Sequence, residues 1–477
     1  MSKPKYHLVA LGCQMNKSDA ERLSAVLEKA GWKQTADEQT ADLVGILACA
    51  VRQSAMDRIY GKLRKWQLEK AKRPLITLVS GCILEHDRKK LRDKFDIFLD
   101  IKKLDQLPEQ LKLITQEQLI DLPSYFKITP KYQSSFQANV PISTGCNKFC
   151  TYCAVPYTRG RETSRPSKDI IQEVKQLIAH GYKEITLVGQ NVNSYGLDLK
   201  SEIKFPQLLK TIDRIPGNYW LRFVTSHPYD MSDELIKEMG RSKHLTNYLH
   251  LPVQSGDDLM LKKMNRHYTI KHYRQLISKI RRVRPTIGLS TDIIVGFCGE
   301  TAQQFTNTLK LVRDVKFDMA YLGQYSERHG TAASKLYADD ISKKVKSKRE
   351  KVLNSTLETT ALAYNQQFTG KTIKVLIDSA KKNPFGYRLK GKNSEYKTVT
   401  ITTNRDLTGQ FVPVRITKAL AWGLEGELEP MKLTKTEKRA QLAQKLKARR
   451  SSLADQVKRQ PRRVKINKIN VRYSGKK

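Results

Sequence analysis

Residues 146–153, Cys-Asn-Lys-Phe-Cys-Thr-Tyr-Cys, place three thiols within one short loop of a chain that has seven cysteines in all. Spacings of three and two residues let such a loop reach three corners of a cubane iron–sulfur cluster, which soft thiolate ligands suit. The next histidine, His180, lies well downstream, whereas a structural zinc site normally has a fourth ligand close by. The stretch therefore predicts a 4Fe-4S cluster held by Cys146, Cys150 and Cys153, with one iron open.

The same stretch resembles the signature of radical S-adenosylmethionine (SAM) enzymes, with the aromatic Tyr152 directly before the third cysteine. The resemblance implies that the amino and carboxylate groups of SAM occupy the open iron. It also implies that an electron from the reduced cluster cleaves SAM to a 5′-deoxyadenosyl radical.

Composition predicts a multidomain protein that binds a polyanion. A chain of 477 residues exceeds one typical domain. Its 87 basic and 47 acidic residues leave a net charge of +40, which favours nucleic-acid binding through counterion release, although a lysine-rich proteome is an alternative explanation. No apolar run approaches the roughly 20 residues that span a bilayer, so we expect no membrane partner. Dispersed cysteines and the lack of a signal-peptide core in Met1–Tyr6 predict a reducing cytoplasm.

A second set of cysteines follows three apolar runs in the first hundred residues. The runs are Tyr6–Leu11, Asp42–Leu47 and Leu75–Ser80, and the cysteines are Cys13, Cys49 and Cys82. Strand, cysteine and helix recur three times, which predicts βαβ units and a parallel sheet. Because the carboxyl ends of parallel strands share one edge, these thiols should converge and hold a second, auxiliary 4Fe-4S cluster. The alternative is that they are small buried hydrophobic residues.

Residues 100–137 are polar and punctuated by proline, so we expect a linker with one short helix. From Ala138 to Tyr325, strands and amphipathic helices alternate as in a parallel barrel. The predicted strands are Asn139–Ser143, Glu184–Val188, Trp220–Thr225, Tyr248–Pro252, Gly288–Val295 and Met319–Gln324. Six βα units predict a partial barrel. The charged residues 330–365 predict helix, which we expect to pack across the barrel.

Polar residues follow several of these strands, at the edge where barrel enzymes place their chemistry. The stretches are Gly189–Asn193, Thr225–Pro228, Pro252–Gly256 and Gly296–Thr301. Individually they could be ordinary loops, and His227 reads more readily as a loop residue than as a base. As a set they predict contacts to SAM or substrate from Tyr152, Gln190, Asn193, Ser226 and Gln254.

From Thr372 the periodicity changes to two, with glycines marking turns, which predicts a small β-barrel or sandwich. Basic and aromatic residues interleave there, either as an RNA-binding face or as a solvated strand face. They are Tyr387, Arg388, Lys390, Lys392, Tyr396 and Lys397. Residues 431–477 carry seventeen basic and two acidic residues. We expect this tail to be disordered or partly helical, and either an RNA-binding arm or a dispensable extension.

Longer motifs extend the resemblance over residues 5–430. They are Gly12–Asn16, Cys146–Pro166, Leu249–Gly256 and Ser290–Phe297. They resemble the methylthiotransferases of the radical SAM superfamily, and within them the MiaB type, the tRNA isopentenyladenosine methylthiotransferases. The implied fold is α/β: a parallel cluster domain, a partial (β/α)6 barrel, a TRAM-like RNA-binding β-barrel and the basic tail. The expected domains are residues 4–120, 132–364, 366–430 and 431–477.

The resemblance also implies a reaction. The Cys146 cluster would bind SAM and generate the radical that removes hydrogen from carbon 2 of adenine. The Cys13 cluster would carry sulfur that a second SAM methylates. The implied target is an isopentenyl-modified adenosine beside the anticodon in a tRNA anticodon stem-loop, whose loop bases can be splayed into a barrel mouth. An electron donor such as flavodoxin or ferredoxin, a sulfur donor and a monomeric enzyme are expected.

Two departures from the family motifs and three alternative functions accompany this interpretation. Leu47-Ala48-Cys49 replaces the family's Asn-Thr-Cys, and Phe297-Cys298-Gly299 replaces its Phe-Pro-Gly. Cys298 is expected to be a bystander, because six cysteines already account for two clusters. The target could instead be threonylcarbamoyl-adenosine in tRNA or an aspartate of a ribosomal protein. The chain could also be a non-catalytic RNA-binding iron–sulfur protein.

Overall fold

The structure is a computed structural model, and it describes residues 3–49, 53–115, 123–199, 203–384 and 386–429. The described residues up to Leu428 belong to one compact unit. The predicted basic tail, residues 431–477, lies outside the described residues.

The N-terminal region is a parallel sheet with helices on its faces. Its strands are β1 (Lys5–Ala10), β2 (Lys33–Gln34), β3 (Leu43–Cys49), β4 (Ile76–Cys82) and β5 (Ile97–Phe98). Its first helices are α1 (Gln14–Lys29), α2 (Gln53–Lys70) and α3 (Glu85–Leu91). The strand order is β2-β1-β3-β4-β5, and every neighbouring pair is parallel. The prediction of three parallel strands is confirmed, and β2 and β5 extend the sheet as short edges.

The segment after β5 belongs to this domain and is not a loose linker. A 3-10 turn over Ile101–Gln106 leads into α4 (Leu107–Thr115), which is the short helix expected there. Leu104, Leu107 and Leu111 are buried in the same apolar core as the strands of the sheet. The linker prediction is therefore wrong for this part, because proline and polar spacing concealed an apolar stripe of period three to four.

The central region is a partial barrel of six parallel strands. Two short strands, β7 (Ser143–Thr144) and β8 (Thr163–Ser164), form an antiparallel pair flanking the cysteine loop. The barrel strands are β6 (Gln137–Pro141), β9 (Glu184–Val188), β10 (Trp220–Phe223), β11 (Tyr248–His250), β12 (Gly288–Val295) and β13 (Met319–Gln324). They form the parallel sheets β6-β9-β10 and β11-β12-β13, which meet at a bridge between Leu221 and Leu245. The predicted barrel is confirmed.

Nine helices of the described residues accompany or follow these strands. They are α5 (Val155–Arg159), α6 (Ser167–Ala179), α7 (Phe205–Asp213), α8 (Asp233–Arg241), α9 (Asp258–Lys263), α10 (Ile270–Val283), α11 (Ala302–Val315), α12 (Ala332–Leu336) and α13 (Lys343–Gln366). The helix α13 packs across the barrel as predicted, and its Arg349 forms an ion pair of 2.6 Å with Glu300 after β12. Within the described ranges, no helix has both the length and the apolar character needed to cross a bilayer.

The C-terminal region is a closed five-stranded barrel. Its strands are β14 (Thr372–Asn383), β15 (Gly386–Lys392), β16 (Thr398–Thr403), β17 (Phe411–Leu420) and β18 (Gly423–Leu428). The strand order is β14-β15-β16-β18-β17, and β14 pairs with β17 to close the barrel. Inward residues such as Val375, Leu389 and Val414 are buried and alternate with exposed residues, the pattern that a small filled barrel requires. This fold fits the predicted TRAM-like domain.

The loop after β15 inserts charged and aromatic groups against the central barrel. Lys397 is buried, and its Nζ donates to Asp318 Oδ1 at 2.8 Å. The Tyr396 ring lies beneath the Arg222 guanidinium, 4.6 Å from its carbon, and 5.0 Å from the Tyr248 ring. The interpretation of Lys397 as an RNA contact is therefore wrong, because its ammonium group is buried and paired with Asp318, while Tyr396 is partly buried at the same junction. Arg388 and Lys390 remain exposed on β15.

Lys397→Met should destabilise the fold strongly, because it leaves the buried Asp318 carboxylate without its cation. Losing one partner of a buried ion pair costs about 3–5 kcal/mol. Thermal unfolding followed by circular dichroism should show a clear loss in the single variant. The double variant Lys397→Met/Asp318→Asn should recover most of the stability. Equal melting of the wild type and the single variant would contradict this account of the junction.

Candidate cluster and cofactor site

The three N-terminal cysteines lie at the carboxyl ends of neighbouring parallel strands. Cys49 and Cys82 are the last residues of β3 and β4 and stand opposite each other in the strand register. Cys13 follows β1, the strand beside β3, and is the N-cap residue of α1. The three cysteines are 36 and 33 residues apart in the sequence. They nevertheless lie at one edge of the sheet, as predicted from the sequence.

Glycine precedes Cys13 and Cys82 for a steric reason. Gly12 adopts a φ of +94°, and a Cβ built there would lie 2.7 Å from the sulfur of Cys49. Gly81 adopts a φ of +95°, and its Cβ would lie 2.6 Å from the carbonyl oxygen of Ala48. Both positions combine a left-handed backbone with no room for a side chain, which is where glycine is required. The glycines therefore let the strand ends approach closely enough for the thiols to converge.

Asn16 on α1 ties these strand ends together. Its Nδ2 donates to the carbonyl oxygen of Leu11 at 2.6 Å and to that of Ala48 at 2.8 Å. Its Oδ1 accepts a hydrogen bond of 3.0 Å from Arg159 of α5. The contact with Ala48 uses the backbone, which explains why alanine is accommodated in the Leu47-Ala48-Cys49 departure. Asn16 thus joins the ends of β1 and β3 to the central region.

The second cysteine triad lies on a loop that is anchored to the segment after α9. The backbone N–H of Thr151 donates to the carbonyl oxygen of Met264 at 3.1 Å. The Asn265 side chain donates to the carbonyl oxygens of Lys148 and Phe149 at 3.3 and 3.0 Å. Phe149 has a φ of +49°, so these donors hold a conformation that is costly for a phenylalanine. These hydrogen bonds therefore fix the conformation of the loop that carries the three cysteines.

Each triad has a buried arginine that donates to the sulfur of its most buried cysteine. Arg159 Nε donates to Cys82 Sγ at 3.0 Å. Arg266 Nη1 lies 3.5 Å from Cys150 Sγ, and its Nη2 donates to the carbonyl oxygen of Pro252 at 2.7 Å. Neither arginine was singled out from the sequence, since Arg159 stood inside a quoted motif and Arg266 in a stretch without a recognisable signal.

Burial raises the pKa of two of the loop thiols. Burial, with the neighbouring Cys150 thiol, raises the pKa of Cys146 to about 11. Burial, followed by Cys150, raises the pKa of Cys153 to about 12. Thiols in these surroundings become thiolates when metal ions offset the charge. None of the seven cysteines, all within the described ranges, forms a disulfide.

The predicted SAM or substrate contacts divide into two groups. Asn193 and Ser226 are buried, and neither Asn193 amide atom nor the Ser226 hydroxyl finds a hydrogen-bond partner among the described residues. Gln190 is already engaged, because its Oε1 accepts from the backbone N–H of Gly145. Gln254 is buried at a φ of +72°, and Tyr152 packs edge-on against Phe297. Asn193 and Ser226 are therefore the two predicted contact residues whose polar atoms are available to bind a polar ligand.

Other residues of this rim were not selected as contacts from the sequence: Asn191, Lys148 and His227 stood in quoted stretches, and Asp230 lay outside them. Asn191 Nδ2 donates to Asp230 at 2.6 Å, and Asp230 also pairs with Lys148 of the cysteine loop at 2.7 Å. Burial lowers the pKa of His227, and its Nε2 has no partner among the described residues. His227 is therefore a neutral, buried hydrogen-bonding group. Only the tertiary structure reveals this set, because the loops carrying it come from different strands.

Glu162 is a further acidic group at this rim. It accepts a hydrogen bond of 2.6 Å from the Ser194 hydroxyl, and burial raises its pKa to about 7. Orphaned polar atoms together with a carboxyl group suit a ligand that carries amino, hydroxyl and carboxylate groups, as SAM does.

Within the described residues, no three His, Cys, Asp or Glu side chains are close enough to hold a single metal ion. A 4Fe-4S cluster takes each thiolate on a different iron, so its ligands stand further apart than those of one ion. The two cysteine triads, with sulfur donors and no nearby carboxylate ligand set, fit clusters better than zinc.

Both triads border the interface between the N-terminal domain and the central barrel. Ala154, next to Cys153, is buried in the same apolar cluster as Ile83 and Leu84, which directly follow Cys82. The donation from Arg159 to Cys82 crosses the same interface. Packing and hydrogen bonding therefore link the local environments of the two triads.

Comparison with protein families matches two parts of the chain. Residues 140–312 match the radical SAM superfamily, and residues 5–100 match the family described as "Uncharacterized protein family UPF0004". The first match contains the cysteine loop and most of the barrel. The second contains Cys13, Cys49 and Cys82.

A solved structure shows the same fold at low sequence identity. It is the radical S-adenosylmethionine methyltransferase TsrM from Kitasatospora setae, with cobalamin and a 4Fe-4S cluster bound. The TM-score is 0.51 at 13% identity, over 70% of this chain and 77% of that chain.

Curated relatives are similar over most of their length. A tRNA-2-methylthio-N(6)-dimethylallyladenosine synthase of Thermoanaerobacter sp. (strain X514) is 42% identical over 436 residues, 89% of this chain and 92% of the relative. One of Carboxydothermus hydrogenoformans with the same name is 39% identical, over 80% of this chain and 90% of the relative. The resemblance read from the motifs is confirmed: the chain belongs to the family of tRNA-2-methylthio-N(6)-dimethylallyladenosine synthases, within the radical SAM enzymes.

Proposed function

We propose that this enzyme inserts a methylthio group at carbon 2 of N(6)-dimethylallyl (isopentenyl) adenosine beside the anticodon in tRNA. The observation that carries the proposal is the pair of cysteine triads at one interface, in a chain 42% identical to a synthase of that name. Carbon 2 of adenine has no leaving group, so the reaction needs both a hydrogen-abstracting radical and a sulfur source. Two separate triads match those two requirements.

Cys146, Cys150 and Cys153 would hold the SAM-binding cluster, and Cys13, Cys49 and Cys82 the auxiliary cluster. When bound, the two clusters supply the electron that cleaves SAM and the sulfur that is transferred. Asn193, Ser226 and His227 would bind polar groups of SAM with atoms that lack a partner in the described structure. Arg266 would hold Cys150 in place through its hydrogen bond to Sγ.

Exposed aromatic rings beside the cysteine loop support an RNA loop as the substrate. Tyr157 and Tyr229 are 47% and 58% exposed, although large aromatic side chains are usually covered. Lys148 Nζ lies 4.5 Å from the centre of the Tyr229 ring, and the Arg161 guanidinium lies 4.5 Å from that of Phe149. Cations interleaved with aromatic rings bind single-stranded bases by stacking and phosphates by charge.

Tyr157→Ala/Tyr229→Ala should weaken binding of an isopentenyl-modified anticodon stem-loop by about tenfold or more, because stacking on an aromatic ring contributes about 1–3 kcal/mol per base. Fluorescence anisotropy at fixed salt measures the dissociation constant. SAM cleavage without RNA should stay at the wild-type rate. Leu68→Ala, which removes a comparably exposed apolar side chain from α2, is the control. Unchanged RNA affinity in the tyrosine variant would contradict this role.

The partners and boundaries follow from the proposed reaction. We infer an electron donor of the flavodoxin or ferredoxin type, a separate sulfur donor, a cytoplasmic location and a monomeric enzyme. The proposed domains are residues 4–120 for the auxiliary cluster, 132–364 for the radical SAM core and 366–430 for the RNA-binding barrel. The interlocked loop after β15 indicates that the last of these is also a structural partner of the core.

Mass spectrometry of tRNA nucleosides tests the substrate directly. A strain lacking its own synthase, complemented with this chain, should regain 2-methylthio-N(6)-dimethylallyladenosine, while vector alone should leave the unthiolated nucleoside. Methylthiolation of threonylcarbamoyl-adenosine or of a ribosomal protein aspartate would replace the proposal with one of those substrates. No modification, together with no consumption of SAM by the reduced protein, would favour a non-catalytic RNA-binding role.

A further inference from the structure

Arg159 belongs to the SAM-binding loop region but serves the other cysteine triad. It ends α5, which begins two residues after Cys153. Arg159 is 2% exposed, and its guanidinium reaches across the interface to Cys82 Sγ at 3.0 Å from Nε. Its Nη2 donates to Asn16 at 3.0 Å and to Asp19 at 2.5 Å, both on α1. One side chain, from the helix that follows the Cys146 loop, thus contacts both a candidate ligand of the other cluster and the helix α1.

The chemistry of these contacts is directional. A guanidinium donates hydrogen bonds and remains cationic, so it lowers the energy of electron density on the sulfur that accepts from it. Hydrogen bonds to cysteine sulfurs are among the factors that set the potential of an iron–sulfur cluster. Asp19 is fully buried and ion-paired with Arg159, which offsets the cost of burying the cation. The arrangement keeps a positive charge against Cys82 where water is excluded.

We propose that Arg159 is a positioning residue that tunes the auxiliary cluster from the SAM side of the interface. Its donation to Cys82 Sγ raises the reduction potential of that cluster, because the more negative reduced form gains more from a neighbouring cation. The same contact holds Cys82 in register with Cys13 and Cys49. This inference rests on the proposed function, since it requires the N-terminal triad to hold a cluster.

The full-length chain with Cys146, Cys150 and Cys153 all changed to alanine isolates the auxiliary cluster. Anaerobic reconstitution of this background should yield about four irons per chain, and a spectroelectrochemical titration followed by EPR measures its potential. Asp19→Asn alone in this background is the reference, because loss of the buried carboxylate by itself raises the potential. Adding Arg159→Met to it removes both the cation and the hydrogen-bond donor to Cys82. The midpoint potential should then shift to more negative values. Arg159→Lys keeps the charge and should restore part of the shift.

A matched control separates this effect from general loosening of the fold. Arg222 is buried like Arg159 and pairs with Glu184 at 2.7 Å, but it contacts neither triad. Arg222→Gln/Glu184→Gln in the same background should leave the potential unchanged. Loss of iron from the Arg159 variant but not from the Arg222 variant would support the positioning role.

Failure of this inference and failure of the proposed function would give different results. The same potential and EPR signal in a fully iron-loaded Asp19→Asn/Arg159→Met variant as in Asp19→Asn alone would overturn the inference while leaving the proposed function intact. Absence of any cluster from the background itself would overturn the assignment of Cys13, Cys49 and Cys82, and the inference with it.

Discussion

Cys150→Ala should reduce 5′-deoxyadenosine formation from SAM to the level of the protein-free reaction. Cys150 is the most buried thiol of its loop, and its sulfur accepts from Arg266. Loss of groups that only support a metal ligand already costs about 10–100-fold, so loss of a ligand should cost more. The measurement is chromatography of the nucleoside after anaerobic reduction of reconstituted enzyme.

Cys298→Ala is the matched control for that experiment. Cys298 is also a buried thiol, and it packs with Met260 and Phe297 in an apolar cluster that borders Tyr152 of the loop but contains no cysteine of either triad. Its removal changes volume and thiol count in the same way without touching either triad, so SAM cleavage should persist. Retained cleavage in the Cys150 variant, or equal loss in both variants, would refute the assignment of the loop triad.

Cys82→Ala should abolish methylthio transfer to tRNA while SAM cleavage continues. The variant removes one ligand of the auxiliary triad and leaves the Cys146 loop intact, so iron should fall from about eight to about four per chain. The measurements are iron content, 5′-deoxyadenosine yield and the thiomethylated nucleoside, all from one preparation. Cleavage without transfer would establish that the two triads divide the work.

The Cys82 experiment needs a variant that separates ligation from packing. In Cys82→Ala the Arg159 guanidinium loses an acceptor in a buried site, which by itself costs about 1–3 kcal/mol. Cys82→Ser keeps an oxygen acceptor for that hydrogen bond but replaces the soft thiolate with a poor ligand for the cluster. Both variants should therefore lose methylthio transfer. Thiomethylated tRNA from either one at the wild-type level would refute the proposed role of the auxiliary triad.

The two triads differ in how far sequence alone can predict them. Cys146, Cys150 and Cys153 are local, so their spacing already implies a shared ligand. Cys13, Cys49 and Cys82 are separated by whole βα units, and their convergence follows from a parallel sheet because its strand ends share an edge. That register places Cys49 opposite Cys82 in the structure. Only the second prediction uses backbone periodicity, which the order of apolar residues reveals.

Hydrogen-bond partners were much harder to predict. Gln190 resembled a ligand contact but is engaged by the backbone of Gly145. Lys397 resembled an RNA contact but is buried against Asp318. A polar residue after a strand has the same appearance in sequence whether its partner is solvent, a ligand or another part of the chain. Only the packing of distant elements distinguishes these cases.

The sequence by itself determined the three-part α/β architecture, the two sets of thiols and the family, since these depend on periodicity, short spacing and long motifs. The tertiary structure alone decided that Arg159 reaches Cys82, that Arg266 reaches Cys150, and that the C-terminal barrel is locked to the core through Lys397. The physical reason is the separation in sequence between the residues that determine each feature. Strands and helices depend on residues that are neighbours in the chain. The partners of a buried charged side chain depend instead on how distant segments pack together.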